Sequence, residues 1–166
     1  MPEVVNTAKV AGRRALHFAS LDALNAEVGR LAAAKEIKTL GNWSAGQVVQ
    51  HVAIVMNNSI DGFGGFQPIP LPLRPLLPAL RWFMKAKFLR DPMPAGWKLA
   101  GKGKQMEPAP ISLAEAAENF HAAFERLRHD RTRAPHPAMG TMTPEEYDQL
   151  HCRHAEMHLS FLVPSG

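Results

Sequence analysis

The chain has 166 residues, 46% of them hydrophobic and 20% charged, a length and balance that build one domain over residues 1–166 without a disulfide framework or a structural metal. Its net charge of +4 comes from 19 Lys and Arg against 15 Asp and Glu; no apolar run approaches the roughly 18 residues of a membrane span, and no continuous basic stripe with interleaved aromatics marks a nucleic-acid reader. Cys152 is the single cysteine, which excludes an intramolecular disulfide. The amino terminus shows no continuous apolar stretch of a secretory leader, so a cytoplasmic location is expected, with neither nucleic acid nor membrane as partner.

The first helix is expected at about residues 21–36, where Leu21, Leu24, Val28 and Leu31 recur at helical spacing. Three later helix starts carry one signal, a hydroxyl residue followed three positions on by Gln or Glu, so that each side chain bonds the other's orphan backbone N–H. The pairs are Ser44 with Gln47, Ser112 with Glu115, and Thr143 with Glu146, the last with Pro144 at the first helical position. The helix from Ser44 runs through "QVVQHVAIVMNNSI" to Gly62. Behind Ser112, the apolar residues Leu113, Ala116, Ala117, Phe120, Phe124 and Leu127 predict an amphipathic helix to about residue 129.

Between these two lies a long crossover, about residues 63–111, opened by Pro68, Pro70, Pro72, Pro75 and Pro78 and carrying a short helix of roughly 76–90. Leu77, Leu80, Met84 and Phe88 line one face of that helix, with Trp82 and Phe83 elsewhere among Arg81, Lys85, Lys87 and Arg90. Packing on the bundle is favoured over rest on a membrane surface, and the helix is a candidate lid. Trp82, Phe83 and Trp97 exceed what one such helix buries, which points to a homodimer. The segment "PAGWKLAGKGKQMEPAP" reads as a loop, and no alternating strand pattern is found. The fold class is all-α, with helices long enough for a four-helix bundle.

The last helix raises the question of function. "HCRHAEMHL" puts His151, His154 and His158 on one stripe with Tyr147, Leu150, Met157 and Phe161, all within about 60° of His154, while Cys152 points about 160° away. This stripe is expected to face the core. His154 and His158 stand i, i+4, the spacing of a chelating H-x-x-x-H pair, though two satisfied or half-exposed histidines would read the same. A third candidate is His51 on the helix from Ser44, either a ligand or a buried histidine satisfied by a carbonyl, beside Gln47 and Asn58, which either orient a substrate or are solvated helix residues. Tyr147 is either a reaching hydroxyl or a packing aromatic. His136 reads as a turn residue and His151 as packing or support for a ligand; His17, His121 and His129 have no evident sequence partner.

The segments "LGNWSAGQVVQHVA", "MPAGWKL" and "HPAMGTMTPEEYDQLHCRHAEMHLSFLVP" together resemble a family of unknown function in the DinB/YfiT-like superfamily, from about Arg13 to Pro164. The resemblance implies a four-helix bundle with a long crossover. It also implies three histidines that hold a divalent metal ion (zinc, nickel, iron or manganese), which by position fall on His51, His154 and His158. Where that pattern often doubles a histidine before the final leucine, this chain has Met157, but His158 is retained. Three neutral imidazoles leave a coordination position open, where water or a thiol is acidified. Since the superfamily includes enzymes that transfer low-molecular-weight thiols, the implied activity is metal-dependent hydrolysis or thiol S-transfer. The implied partner is a small-molecule substrate or low-molecular-weight thiol. The alternative is a non-catalytic metal- or ligand-binding bundle.

Overall fold

A computed structural model describes residues 4–64, 76–96, 104 and 106–165. Its described residues form five helices, α1 (Leu21–Ala32), α2 (Ala45–Asp61), α3 (Leu77–Arg90), α4 (Leu113–His129) and α5 (Pro144–Leu159), with two three-residue strands, β1 (Ile37–Thr39) and β2 (Leu162–Pro164). Helix α4 packs on α1 and α2, and α5 packs on the same two, closing a four-helix bundle; α3, carried by the crossover, packs on α5. None of the described helices is long and apolar enough to cross a membrane. Pro68, Pro70, Pro72, Pro75, Trp97 and most of the loop after it lie outside the described residues.

The caps explain where the helices begin. At Ser44 and Thr143 both halves of the capping box form, the hydroxyl accepting from the third backbone N–H and Gln47 or Glu146 accepting from the cap's own N–H. At Ser112 only the forward half forms, Oγ accepting from Glu115 N, so that start departs from the full box. Helix α1 has a cap without the motif, Ser20 Oγ accepting from Ala23 N.

Two expectations need correction. Helix α1 ends at Ala32, short of residue 36, because the chain must turn to deliver Ile37–Thr39 into a ladder with β2. That antiparallel pair, with Ile37 opposite Pro164 and Thr39 opposite Leu162, was not legible as alternation: three residues are too few to show a period of two. It clamps the chain beyond α5 onto the α1–α2 connection.

The main core joins Leu24, Val28 and Leu31 of α1, Val49, Val52 and Met56 of α2, Phe120, Phe124 and Leu127 of α4, and Cys152, Ala155 and Leu159 of α5. The start of α2 lies against the backbone just before α4: a Cβ on Gly46 would lie 2.2 Å from Ile111 O, so only glycine fits. A second cluster packs Phe88 of α3 and Met106 of the crossover against Met139, Met142, Tyr147 and Leu150.

Helix α5 therefore differs from the expected one-faced amphipathic helix. Its buried residues include Leu150, Cys152, Arg153, Ala155, Glu156 and Leu159, so it is enclosed on more than one side. The Cys152–Ala155–Leu159 side supplies the main core, while the histidine stripe faces α2 and is only half-buried at His154, Met157 and His158. The histidines line a polar seam beside the core rather than its apolar centre.

Candidate metal centre

Helices α2 and α5 bring His51, His154 and His158 together. One ligand nitrogen from each lies within 4.8 Å of the other two, a set that can hold a metal ion. The ring centroids are 5.2 Å apart for His51 and His154, 4.5 Å for His51 and His158, and 4.5 Å for His154 and His158. Among the described residues this is the set of His, Cys, Asp and Glu side chains with such a geometry. Metal–nitrogen distances of about 2.0–2.1 Å place the donors of one ion somewhat closer, within reach of small rotamer adjustments.

Each ring is held differently. His51 is buried, and its Nδ1 lies 2.9 Å from Met106 O. A carbonyl only accepts, so Nδ1 carries the proton and the lone pair sits on Nε2, as in ligating histidines fixed by an outer partner. His158 stacks on Trp43, with centroids 5.9 Å apart and planes 11° from parallel, and Trp43 also leans on His51 at 5.0 Å. His154 Nδ1 is buried with no hydrogen-bond partner. Such an orphan costs roughly 1–3 kcal/mol unless something fills it.

Electrostatics keep the cluster neutral. Burial lowers the pKa of His51 against a weaker opposing effect of its bond to Met106 O. His154 falls well below the ordinary histidine range through burial first, then the neighbouring His158, His51, His151 and His136. His158 falls likewise through burial, His51 and the charge of Arg13. At neutral pH three unprotonated imidazoles present lone pairs, the state that metal binding requires.

Other candidates are placed outside the cluster. Gln47 is committed to backbone, its Nε2 donating to Pro108 O and its Oε1 accepting from Ser44 N. Tyr147 is buried and donates its hydroxyl to Ala134 O, with burial pushing its pKa up, so it packs rather than reaches. His151 lies 3.1 Å from Ser59 Oγ, which itself donates to Met56 O, so His151 Nε2 is the donor. It stands one turn before His154 on the same stripe. His136 folds its own turn, Nδ1 accepting from Ala138 N and Met139 N. Asn58 is half-buried two turns beyond His51.

The structure supplies partners that the sequence did not: His17 lies 2.7 Å from Arg153, His121 3.4 Å from Asn25 Oδ1, and His129 3.6 Å from Glu125. Arg13 was also missed. Its Nε donates to Ser160 Oγ at 2.9 Å and one terminal nitrogen to Met157 O at 3.3 Å, and its guanidinium lies 4.4 Å from the centre of the Phe161 ring. It thus straddles the turn that carries His158. Cys152 lines an open groove of about 680 Å³, also lined by His17, that none of His51, His154 and His158 lines, and burial pushes its thiol up to about 12. A raised pKa keeps it as the thiol rather than the nucleophilic thiolate at neutral pH.

Comparison with known proteins now has a geometry to attach to. The family model for DUF1569, proteins of unknown function, matches residues 10–165. The chain belongs to that family. No curated protein and no solved structure matches it. In this DUF1569 member the matched span contains all four bundle helices, Arg13 and the three clustered histidines.

Proposed function

We propose that this DUF1569 protein is a metal-dependent enzyme of the DinB/YfiT-like superfamily. His51, His154 and His158 hold the divalent ion, and the substrate is a small molecule worked on by water or a low-molecular-weight thiol. The carrying observation is the convergence of three neutral imidazoles from two helices, one of them with an orphaned buried nitrogen. The residues fit the group: the donor set suits zinc, nickel or iron, and manganese less well. When bound, such an ion supplies Lewis-acid chemistry, making a coordinated water or thiol acidic enough to ionise near neutral pH.

The chain's own residues supply positioning. Met106 O fixes the His51 ring and its tautomer. Trp43 walls the cluster on the side of His51 and His158, limiting entry of bulk water. Arg13, immobilised across the turn of His158, places a cation beside the cluster and favours an anionic substrate or a thiol bearing carboxylates.

One observation favours the alternative, a non-catalytic metal- or ligand-binding bundle: both Tyr147 and Gln47, the candidate assisting groups, are committed to backbone. Activity separates the two readings. Zinc-loaded protein should hydrolyse an activated ester or accelerate attack of a small thiol on an electrophile, and the His154→Ala, His158→Ala double variant should lose that rate by more than about a hundredfold. Tyr147→Phe should retain it. Equal rates in wild type and double variant would remove the enzyme reading, and bound metal with no rate against either substrate class would establish the alternative.

A further inference from the structure

The crossover divides the charge of the chain unevenly. Residues 62–104 hold eight of the 19 Lys and Arg but only one of the 15 Asp and Glu, giving +7 and leaving −3 for the remainder. Helix α3 sits in this basic segment with no acidic residue of its own.

The helix has two unlike sides. Its inner side is anchored: Phe88 is buried in the second cluster with Met84 and Leu89 against it, and Lys85 pairs with Glu146 at 2.6 Å. Leu76, Leu80, Phe83, Lys87 and Arg90 follow at intervals of four, three, four and three, which places them on one outer stripe within about 40° of Leu76, and corrects the expectation that Leu80 shares the buried face of Met84 and Phe88. Leu76 is 64% exposed, Leu80 48%, Phe83 59% and the adjacent Trp82 73%. Single exposed apolar residues are ordinary, but α3 gathers Leu76, Leu80, Trp82 and Phe83 within eight positions while burying Phe88 on its other side.

We propose that this outer face of α3 docks on an anionic lipid surface. Apolar and aromatic side chains at its start and Lys87 and Arg90 toward its end are the two elements of an interfacial helix, one entering the acyl boundary and the other meeting negative headgroups. The charge chooses among occupants. In a symmetric dimer through this stripe, parallel helices would set Lys87 and Arg90 of both copies against like charges, and antiparallel ones would set them against the apolar Leu76 and Leu80. Nucleic acid would satisfy the cations but leave Leu76, Leu80 and Phe83 in water. The sequence favours packing over membrane contact for this helix; the structure assigns packing to its inner side and leaves the outer side for the bilayer.

The test is co-sedimentation of the full chain with phosphatidylcholine vesicles, alone or containing about 30% phosphatidylglycerol. Expected is binding to the anionic vesicles that weakens with salt, is much weaker on the neutral ones, and falls about tenfold in Trp82→Ser, Phe83→Ser and in Lys87→Glu, Arg90→Glu. Both variants change exposed positions, and circular dichroism checks that helicity is kept. Vesicle binding unchanged in both variants would overturn the proposal. So would no binding to the anionic vesicles; a dimer that the aromatic variant dissociates would then assign the face to a second copy, and retention on duplex RNA that the charge variant abolishes would assign it to nucleic acid.

Discussion

Glu156→Ala should lower the unfolding free energy by roughly 3–5 kcal/mol, among the largest losses available to a single change outside the apolar core. The side chains of Arg153 and Glu156 are only 8% and 7% exposed, one turn apart on α5, with a nitrogen–oxygen distance of 2.9 Å. Glu156 Oε1 also accepts from Phe18 N at 2.5 Å, and an Arg153 terminal nitrogen donates to Phe18 O at 2.8 Å. The pair thereby binds both backbone groups of Phe18 and holds the segment before α1 against α5. Removing the carboxylate leaves a buried guanidinium without its counter-charge and a buried N–H without an acceptor. Replacing both residues, Arg153→Met with Glu156→Leu, should recover much of the loss, because no unpaired charge then remains. Urea denaturation of the three variants measures this. A loss below about 1 kcal/mol for Glu156→Ala would mean that the pair is solvated in solution.

The metal-free protein should lose stability as pH falls from about 6.5 to 4. His151 is buried and its pKa is lowered to about 3, mainly by burial and then by Arg133 and His136. His136 is lowered to about 4 by burial. Each is neutral in the fold but takes up a proton near pH 6.5 once unfolded, so its contribution is complete above that value and declines through the interval down to the folded pKa. For His151 alone, the loss by pH 4 is on the order of 3 kcal/mol. His136, His154 and His158 act in the same direction. His151→Gln should flatten the dependence between pH 6.5 and 4 while leaving the steeper loss below it, where carboxylates such as Glu146 and Asp130 become protonated. Denaturation midpoints at fixed ionic strength test the slope, and a midpoint constant across the interval would contradict the burial of neutral imidazoles.

The bundle was legible because its signals are local. Ser44–Gln47 and Thr143–Glu146 mark helix starts through backbone bonds within four residues, and the Leu21–Leu31 and Leu113–Leu127 patterns span enough turns to fix a buried side. The histidine cluster was legible for a similar reason: i, i+4 spacing fixes His154 beside His158, and only the approach of α2 was left to supply His51.

Features built from contacts far apart in sequence were not legible. Arg153 and Glu156 carry no local signal of burial, because their burial depends on a segment 135 to 138 residues away. Arg13 is scattered among ordinary basic residues until Met157, Ser160 and Phe161 give it a place. The stripe of α5 was assigned to the core by its direction alone, but direction does not reveal that a helix is enclosed on several sides. The strand pair β1–β2 has no local signature at three residues each.

The central claim is that the three imidazoles face one another to hold an ion. Elemental analysis of protein prepared without a nickel-affinity step, then equilibrated with zinc and dialysed, tests it directly when wild type is compared with His51→Ala. The account predicts close to one divalent ion per chain in wild type and its loss in the variant at unchanged helicity. Wild type that retains no metal, or a His51→Ala variant that retains it fully, would contradict the assignment.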